Sequence, residues 1–187
     1  MGLSRVSFEL AVDGGETTAQ AETILESFKD PLYKGTLLGE GSMICVGYAG
    51  DLAVTAANCF EGVVNDDGHG DEARRPFIGL PYLEVWLIAT DSRRRGQGYA
   101  KQLVDTILDL ATNHEFDHVE ATHLSNDDSR MFWGSCGFES LPYMSFGDYD
   151  MYRKTKGLIL DNTGLDVTVS SEVNERLASF VRDQVAD

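Results

Sequence analysis

Three consecutive arginines, Arg93, Arg94 and Arg95, stand beside two closely spaced glycines, Gly96 and Gly98. The segment that follows has apolar residues at helical spacing, so this basic loop should open the N-terminus of a helix. Unpaired N–H groups and the positive end of the helix dipole attract anions there. Glycines lack the side chains that would block a pyrophosphate from the backbone. The loop is therefore predicted to bind a phosphate-bearing ligand.

The glycine spacing discriminates between phosphate-binding loops. A Walker loop requires G-x-x-x-x-G-K-[ST], and this stretch has no such Gly-Lys-Ser or Gly-Lys-Thr. A dinucleotide-binding fingerprint requires a glycine three residues after Gly98, where Lys101 stands. Both nucleotide-binding interpretations are weakened.

A second chemical feature is Glu84, the one charged residue of the apolar segment 82–88. Such a segment is typical of a central strand covered on both faces. We expect Glu84 to alternate with Trp86 and Ile88 on one face of this strand. Burying a carboxyl group costs free energy, so Glu84 requires a partner or a function.

Strands and helices that would position these residues follow from hydrophobic periodicity. Strands are predicted at 6–12, 43–48, 52–57, 82–88, 119–124, 139–144 and 149–155, and helices at 18–28, 97–111 and 127–134, with a final helix capped by Ser171. Segment 61–79 predicts an acidic surface loop without the ligand order of a calcium site. We expect a single domain over residues 1–187, with a C-terminal extension and helix at about 156–187.

Composition limits the partners. Fifteen Lys and Arg against 31 Asp and Glu give a net charge of −16, which repels nucleic acids and anionic membranes. No apolar run approaches the ~20 residues that span a bilayer. The three cysteines have neither disulfide-framework nor zinc-site spacing. We therefore expect a cytoplasmic protein that binds no nucleic acid, membrane or metal.

Two motifs together resemble the GNAT superfamily of N-acetyltransferases. The stretch Arg95-Gly96-Gln97-Gly98-Tyr99-Ala100 resembles its coenzyme A loop, R-x-x-G-x-[GA], and Asn126-Asp127-Asp128-Ser129 followed by Gly137-Phe138 is similar to its N-x-x-A segment ending in Gly-Phe. The resemblance covers about residues 80–155 well and residues 6–57 only by element order. It implies a mixed α/β, GNAT-like fold, in which a central, mostly antiparallel sheet is splayed between two parallel strands and flanked by helices.

The implied function is acetyl-CoA-dependent transfer of an acetyl group to a primary amine, by direct attack within a ternary complex. Acetyl-CoA would lie between the strands at 82–90 and 119–124. The implied coenzyme A contacts are Ile88, Ala89, Thr90, Arg95, Gly96, Gln97, Gly98, Tyr99, Ala100, Lys101, Asn126, Ser129 and Trp133. Solvated arginines at a helix start, and an ordinary N-cap at Asn126, are the alternatives.

The resemblance also implies a general base. Glu84 precedes Thr90 by the same step as the glutamate base in histone acetyltransferases of this family. Apolar neighbours would disfavour its charged form, which suits removal of a proton from an ammonium, directly or through water. A buried structural glutamate paired with an arginine or a backbone group is the alternative.

The general acid departs from the family pattern. The family's tyrosine, four residues before the glycine of Gly-Phe, is replaced by Trp133, whose indole N–H is too weakly acidic. Tyr143, Cys136 or water could substitute, or the thiolate could leave unaided, since a thiol has a pKa of ~8.5. Cys136 as a covalent nucleophile would need His123 as its activator, and a buried thiol is the favoured interpretation.

The acceptor pocket is expected from segments 31–40 and 142–148 and from the acidic loop before Tyr82. The acidic surplus favours a cationic acceptor, such as a polyamine, an aminoglycoside, or a protein lysine or N-terminus. A homodimer through the final helix is compatible with the sequence. A coenzyme A-binding module with weak or no catalysis is the second hypothesis, because Trp133 occupies the tyrosine position.

Overall fold

The computed structural model describes residues 6–12, 16–25, 42–66, 72–122, 124, 126–141, 150–158 and 165–185. The strands are β1 (Val6–Val12), β2 (Met43–Ala49), β3 (Leu52–Val63), β4 (Pro81–Thr90), β5 (His118–Ala121), β6 (Glu139–Ser140), β7 (Met151–Lys154) and β8 (Asp166–Val169). The α-helices are α1 (Glu16–Leu25), α2 (Tyr99–Asn113), α3 (Asp127–Ser135) and α4 (Ser171–Val185). Short 3-10 turns span Arg75–Phe77 and Ser92–Arg94.

These eight strands form one mixed sheet in the order β6-β7-β5-β4-β3-β2-β1-β8. Neighbouring strands are antiparallel except for two parallel pairs, β4 with β5 and β1 with β8. The predicted class, a mixed and mostly antiparallel sheet flanked by helices, is confirmed.

Alternating side chains divide the core between the two faces of the sheet. On β2, Met43 and Cys45 join a large cluster with α2 and α4, whereas Ile44 and Val46 join a smaller cluster with α1. This alternation has the period of two that a strand imposes. We call the two faces the α2 face and the α1 face.

Pairing between β4 and β5 is short. Only Tyr82–Val85 of β4 pairs with β5, and β5 ends at Ala121 while β4 continues to Thr90. The two parallel strands therefore separate beyond Val85, which produces the splay that the resemblance implied.

A β-bulge interrupts β4 just where the strands separate. Asn58 of β3 pairs with Leu87 and the next residue, Cys59, pairs with Val85, so β4 has one extra residue at Trp86. Val85 and Ile88 consequently both pack on the α2 face. The expectation that Glu84 and Ile88 share a face is wrong, because the extra residue shifts the alternation.

Several predicted boundaries differ from the structure. Strand β3 runs to Val63, into the expected loop 61–79, and Val64 and Phe77 form a small buried cluster there. Strand β5 ends before Leu124, and α1 begins at Glu16. Phe28 and the connection 142–149 lie outside the described residues.

The C-terminal segment contributes a strand that periodicity missed. Four residues, Asp166–Val169, pair in parallel with β1, and α4 follows them. Ser170, rather than the predicted Ser171, accepts the first-turn N–H of Val173 through its side chain. A four-residue, mostly exposed edge strand has too little alternation to be recognised from sequence.

Helix α4 covers part of the α2 face. Val173 and Leu177 are fully buried in the large cluster. Arg176 donates hydrogen bonds through Nε and Nη2 to both carboxylate oxygens of Glu61 on β3, the Nη2–Oε2 distance being 2.6 Å. The helix is thus joined to the central sheet by apolar packing and by a bidentate ion pair.

Leu177→Ala should lower the free energy of unfolding by about 3 kcal/mol, because it leaves a cavity beneath α4. Urea denaturation of the whole chain measures this change. Glu175→Ala, on the exposed side of the same helix, should change it by less than about 0.5 kcal/mol. Equal stability of the two variants would contradict the packing of α4 on the sheet.

Candidate active site

A cleft of about 640 Å³ occupies the space where β4 and β5 separate. One wall is the free end of β4, the second is the loop before α2 together with the start of that helix, and the third is α3. The predicted coenzyme A contacts that line it are Ile88, Ala89, Thr90, Arg95, Gly96, Gly98, Tyr99, Ala100, Lys101, Asn126, Ser129 and Trp133. The structure therefore brings three separate sequence segments to one cleft.

The edge of β4 presents backbone groups to this cleft. The N–H of Asp91 donates to the carbonyl of Val54 at 2.9 Å, and bonded and non-bonded residues alternate along an antiparallel pair. Ile88 and Thr90, at the alternate positions, must direct their N–H and C=O groups away from β3. The carbonyl of Thr90 accordingly lies 3.4 Å from Nε of Arg95. These groups can pair with an extended ligand laid beside the strand.

A tight turn carries the chain from β4 into the basic loop. The carboxylate of Asp91 accepts the backbone N–H of Arg93 at 3.0 Å and lies 3.4 Å from its Nε. That backbone hydrogen bond, with the nearby guanidinium groups of Arg93 and Arg94, lowers the pKa of Asp91. An ionised Asp91 therefore holds the turn at neutral pH.

The two loop glycines adopt the left-handed conformation, with φ of +76° at Gly96 and +84° at Gly98. Neither has another group within 4 Å of the position of a Cβ atom. Their backbones are thus open to an approaching ligand. Gln97 does not line the cleft, and its side-chain carbonyl accepts a hydrogen bond from the Tyr99 hydroxyl at 3.2 Å.

The first turn of α2 is available to an anion. Gly98 is the N-cap, and having no side chain it leaves the first N–H groups without a side-chain acceptor. Arg94, Arg95 and Lys101 line the same end of the cleft. Backbone donors, the helix dipole and three cations converge there, which fits a diphosphate.

Helix α3 forms the opposite wall. The side-chain carbonyl of Asn126 accepts the N–H of Ser129 at 2.9 Å, so Asn126 is an N-cap as well as a residue of the cleft. Trp133 is buried, with its ring centroid 4.7 Å from that of Phe138 and 5.3 Å from that of Phe132. Trp133 thus supplies an apolar wall.

The candidate base lies on the α1 face, next to a residue of the cleft. Glu84 is half-buried and accepts a hydrogen bond of 2.5 Å from the Thr122 hydroxyl. Thr122 lines the cleft, whereas Glu84 does not. Thr122 therefore connects the carboxylate to the cleft, a link that the sequence did not indicate because 38 residues separate the two.

Tyr82 lies one alternation before Glu84 on the same face. Burial raises the pKa of Tyr82 to about 12, with smaller contributions from the carboxylates of Glu120 and Glu84 and an opposing one from Arg74. The hydroxyl is therefore protonated at neutral pH. Glu84 and Glu120 therefore both lie close enough to Tyr82 to act on its hydroxyl.

Of the side chains predicted as alternative proton donors, the structure describes Cys136. Cys136 is buried, does not line the cleft, and has its pKa raised chiefly by desolvation. The buried-thiol interpretation accounts for it, because a thiol is a poor nucleophile when its pKa is raised. Tyr143 and His123 lie outside the described residues.

Several residues of the cleft were missed by the sequence analysis. Thr122, Leu124, Phe132 and Asp128 line it through their positions after β5 and in α3. Phe132 and Asp128 could have been identified from the sequence, since they belong to the same α3 segment as Ser129. Thr122 could not, because its contact depends on the register between two strands.

The part of the chain that builds this cleft matches the model of a known enzyme family. The model of the acetyltransferase (GNAT) family matches residues 40–138, more than half of the chain. The protein therefore belongs to the GNAT acetyltransferase family, and is an acyltransferase with acetyl-CoA as its cosubstrate.

Solved structures share the fold. AtaTR bound with acetyl-CoA is 13% identical with a TM-score of 0.55, over 81% of this chain and 95% of that chain. AtaT complexed with acetyl-methionyl-tRNAfMet is 12% identical with a TM-score of 0.52, over 80% and 95%. A putative N-acetyltransferase from Lactobacillus plantarum is 16% identical with a TM-score of 0.54, over 80% and 99%. At these identities the likeness concerns the fold alone.

No curated protein sequence matches the chain. Within the described ranges, no helix combines the length and apolar character needed to cross a membrane. Among those same residues, no group of three or more His, Cys, Asp and Glu side chains is arranged to hold a metal ion.

Gly98→Ala should weaken acetyl-CoA binding about tenfold or more, because an L-residue in the left-handed conformation costs about 1–2 kcal/mol and the methyl group enters the anion site. Calorimetric titration measures the affinity. Gly50→Ala is the matched control, since Gly50 has a φ of +66° and open space in the turn between β2 and β3. It should lose similar stability and bind acetyl-CoA normally. Undiminished affinity of Gly98→Ala would exclude the loop from the binding site.

Proposed function

We propose that the protein is an N-acetyltransferase that transfers the acetyl group of acetyl-CoA to a primary amine by direct attack in a ternary complex. The observation that carries the proposal is the cleft between β4 and β5, which has an anion site at one end and the Glu84–Thr122 pair at the other. No covalent intermediate is required, because both substrates can meet where the strands separate.

Binding of the cosubstrate follows from the walls of the cleft. The first turn of α2 and the basic loop hold the diphosphate, and the backbone groups of Ile88 and Thr90 pair with the pantetheine arm. An N–H of this strand edge polarises the thioester carbonyl, and such a preorganised donor stabilises the transition state by about 3 to 4 kcal/mol. Trp133 walls the apolar part of the channel.

Glu84 acts as the general base. An ammonium must lose a proton before its nitrogen can attack, and the carboxylate of Glu84 is hydrogen-bonded to Thr122, a residue of the cleft. The bulge at Trp86 places it on the α1 face, opposite Ile88. The amine therefore approaches from the α1 face while the cosubstrate enters from the α2 side, and the proton passes directly or through a water molecule.

The coenzyme A thiolate leaves without receiving a proton from the Trp133 indole. Trp133 cannot protonate it, and Cys136 lies outside the cleft. A thiol pKa of ~8.5 makes the coenzyme A thiolate a fair leaving group in its own right. Tyr143 is the remaining side-chain candidate for this proton.

The acceptor is a cationic amine, either a small molecule or a protein lysine or N-terminus. The chain carries a net charge of −16, and Glu84 and Glu120 are strand partners on the face from which the acceptor approaches. The structure of AtaT with acetyl-methionyl-tRNAfMet gives no support to the expectation that nucleic acid is excluded. The overall charge favours the cationic amine over an aminoacyl-tRNA. A cytoplasmic location belongs to the same proposal and is supported by three free cysteines.

An acceptor panel tests the proposal. Release of free coenzyme A thiol from acetyl-CoA should depend on a polyamine, an aminoglycoside or a lysine-containing peptide, with aminoacyl-tRNA included as a competing acceptor. Mass spectrometry of the product locates the acetyl group on nitrogen. Acetyl-CoA binding without amine-dependent thiol release would favour the second hypothesis, a binding module.

Glu84→Gln should lower kcat by about 100-fold or more and abolish the acidic limb of the pH–rate profile, because the amide cannot accept the proton. Steady-state rates over a range of pH with the best acceptor measure both effects. Glu9→Gln is a matched control on β1, where the carboxylate accepts a hydrogen bond from Thr17 at 2.8 Å. A persistent acidic limb in Glu84→Gln would assign the base to another group.

A further inference from the structure

Two half-buried aromatic side chains, Phe60 and Trp86, lie beside Glu84. Strand register pairs Glu84 directly with Phe60 of β3. The Cβ atoms of residues that face each other across an antiparallel pair are about 5 Å apart. Trp86 follows two residues after Glu84, and its ring centroid lies 5.9 Å from that of Phe60, in an edge-to-face arrangement. An aromatic pair therefore borders the candidate base.

The bulge directs the Trp86 ring to the α1 face. Cys59, next to Phe60, packs in the cluster of the α2 face, so alternation directs Phe60 to the α1 face. The ring contact with Phe60 then places Trp86 on the α1 face as well. Leu87, the next residue, packs on that same face. Two successive side chains of β4 thus point to one side, as the extra residue of a bulge permits.

This aromatic pair is separate from the described hydrophobic core. The clusters of the two faces, and the small cluster of Val64 and Phe77, contain neither Phe60 nor Trp86 among the residues that the structure describes. Trp86 instead lines the cleft, whereas Phe60 packs against its ring without lining the cleft. Binding clefts are typically lined by aromatic side chains of this kind. The Trp86 ring is therefore available to a ligand.

The chemistry of this wall selects the body of the acceptor. The reacting nitrogen has to approach the Glu84–Thr122 pair, and Thr122 and Trp86 line the same cleft. The remainder of the acceptor then lies beside the indole ring. Apolar surface that the ring removes from water favours binding in proportion to its area, and a second aromatic ring adds edge-to-face or stacking contacts. Hydroxyl groups placed against the ring would lose water without gaining an acceptor there.

We propose that Trp86 determines the acceptor specificity, and that the acceptor is a primary amine on a short alkyl chain that carries an aromatic ring. The inference rests on the proposed function, in which the amine approaches Glu84 from the α1 face. It narrows the class of cationic amines to those with one positive charge, at the reacting nitrogen, and an uncharged body. The acidic chain attracts the charge, and Trp86 binds the body.

Three amines in the thiol-release assay test the substrate class on the unaltered chain. Phenethylamine carries an aromatic body, hexamethylenediamine carries a second ammonium, and ethylamine has almost no body. We expect kcat/KM to be about tenfold or more higher for phenethylamine than for the other two, because only its ring buries apolar surface against Trp86. An ammonium can also lie over an indole face. A preference for hexamethylenediamine would therefore assign the wall to a polyamine and overturn the proposal.

Substitution of Trp86 tests the residue itself, and the readout is the ratio of kcat/KM for phenethylamine to that for ethylamine. Trp86→Ala should lower this ratio about tenfold, because only the larger amine reaches the ring. Trp86→Phe keeps a ring and should retain the ratio within about threefold. An equal loss for both amines in Trp86→Ala would reveal a merely structural role and overturn the proposal.

Phe180→Ala is the matched control for these variants. Phe180 is a half-buried ring that stacks on Phe116 with centroids 6.0 Å apart, and it does not line the cleft. Its removal deletes a ring of similar burial from another aromatic pair, so the ratio should stay at its original value. A ratio that falls as far as in Trp86→Ala would contradict a specific contact between Trp86 and the acceptor.

Tryptophan fluorescence separates this inference from the proposed function, because it requires no catalysis. The chain has two tryptophans, so Trp133→Phe leaves Trp86 as the only one. With coenzyme A present, phenethylamine should change the Trp86 emission in a saturable way, and ethylamine at the same concentration should not. An unchanged emission overturns the inference even if other amines release thiol. A saturable change without any amine-dependent thiol release would instead overturn the transfer reaction and leave the amine site standing. This measurement also applies if Trp86→Ala does not fold.

Discussion

The early end of pairing between β4 and β5 is the constraint on which the active site depends. Beyond Val85 and Ala121 no described strand covers the free side of β4, and its backbone donors and acceptors must find other partners. In most sheets such an edge is a liability. Here the neighbouring loop and α3 enclose it, which leaves room for a narrow, extended ligand. In the proposed function, the bound cosubstrate would supply the hydrogen bonds that a neighbouring strand otherwise makes.

The bulge at Trp86 separates two features of β4 that the proposed reaction uses. In that proposal, one continuous strand presents backbone groups to the cosubstrate and a carboxylate to the acceptor, from opposite sides. A regular strand would place Glu84 and Ile88 on the same face, and the extra residue separates them. The bulge therefore allows the same strand to contact both substrates of the proposed reaction without a change in its direction.

Charge is distributed at two scales in this protein. A net charge of −16 acts at long range and attracts cations, whereas Arg94, Arg95 and Lys101 beside the first turn of α2 form a local basic site that fits a diphosphate. Near the sheet, burial makes each charge costly, and the acidic groups are joined to Thr122 and His118 by short hydrogen bonds. An acidic side chain that water stabilises at the surface needs a hydrogen-bonding partner of its own when it is buried.

The sequence by itself determined the features that depend on nearby residues: the alternation of β1 and β2, the amphipathic stripe of α2, and the spacing of Arg95, Gly96 and Gly98 that marks the anion site. These signals are local because backbone geometry repeats every two or 3.6 residues. Tertiary structure alone decided the length of the β4–β5 pairing, the position of the bulge, the parallel strand β8 and the contacts of Glu84 with Thr122 and of Glu120 with His118. Each of these depends on register between strands that are distant in the chain, and register is set by the packing of whole faces rather than by any short pattern.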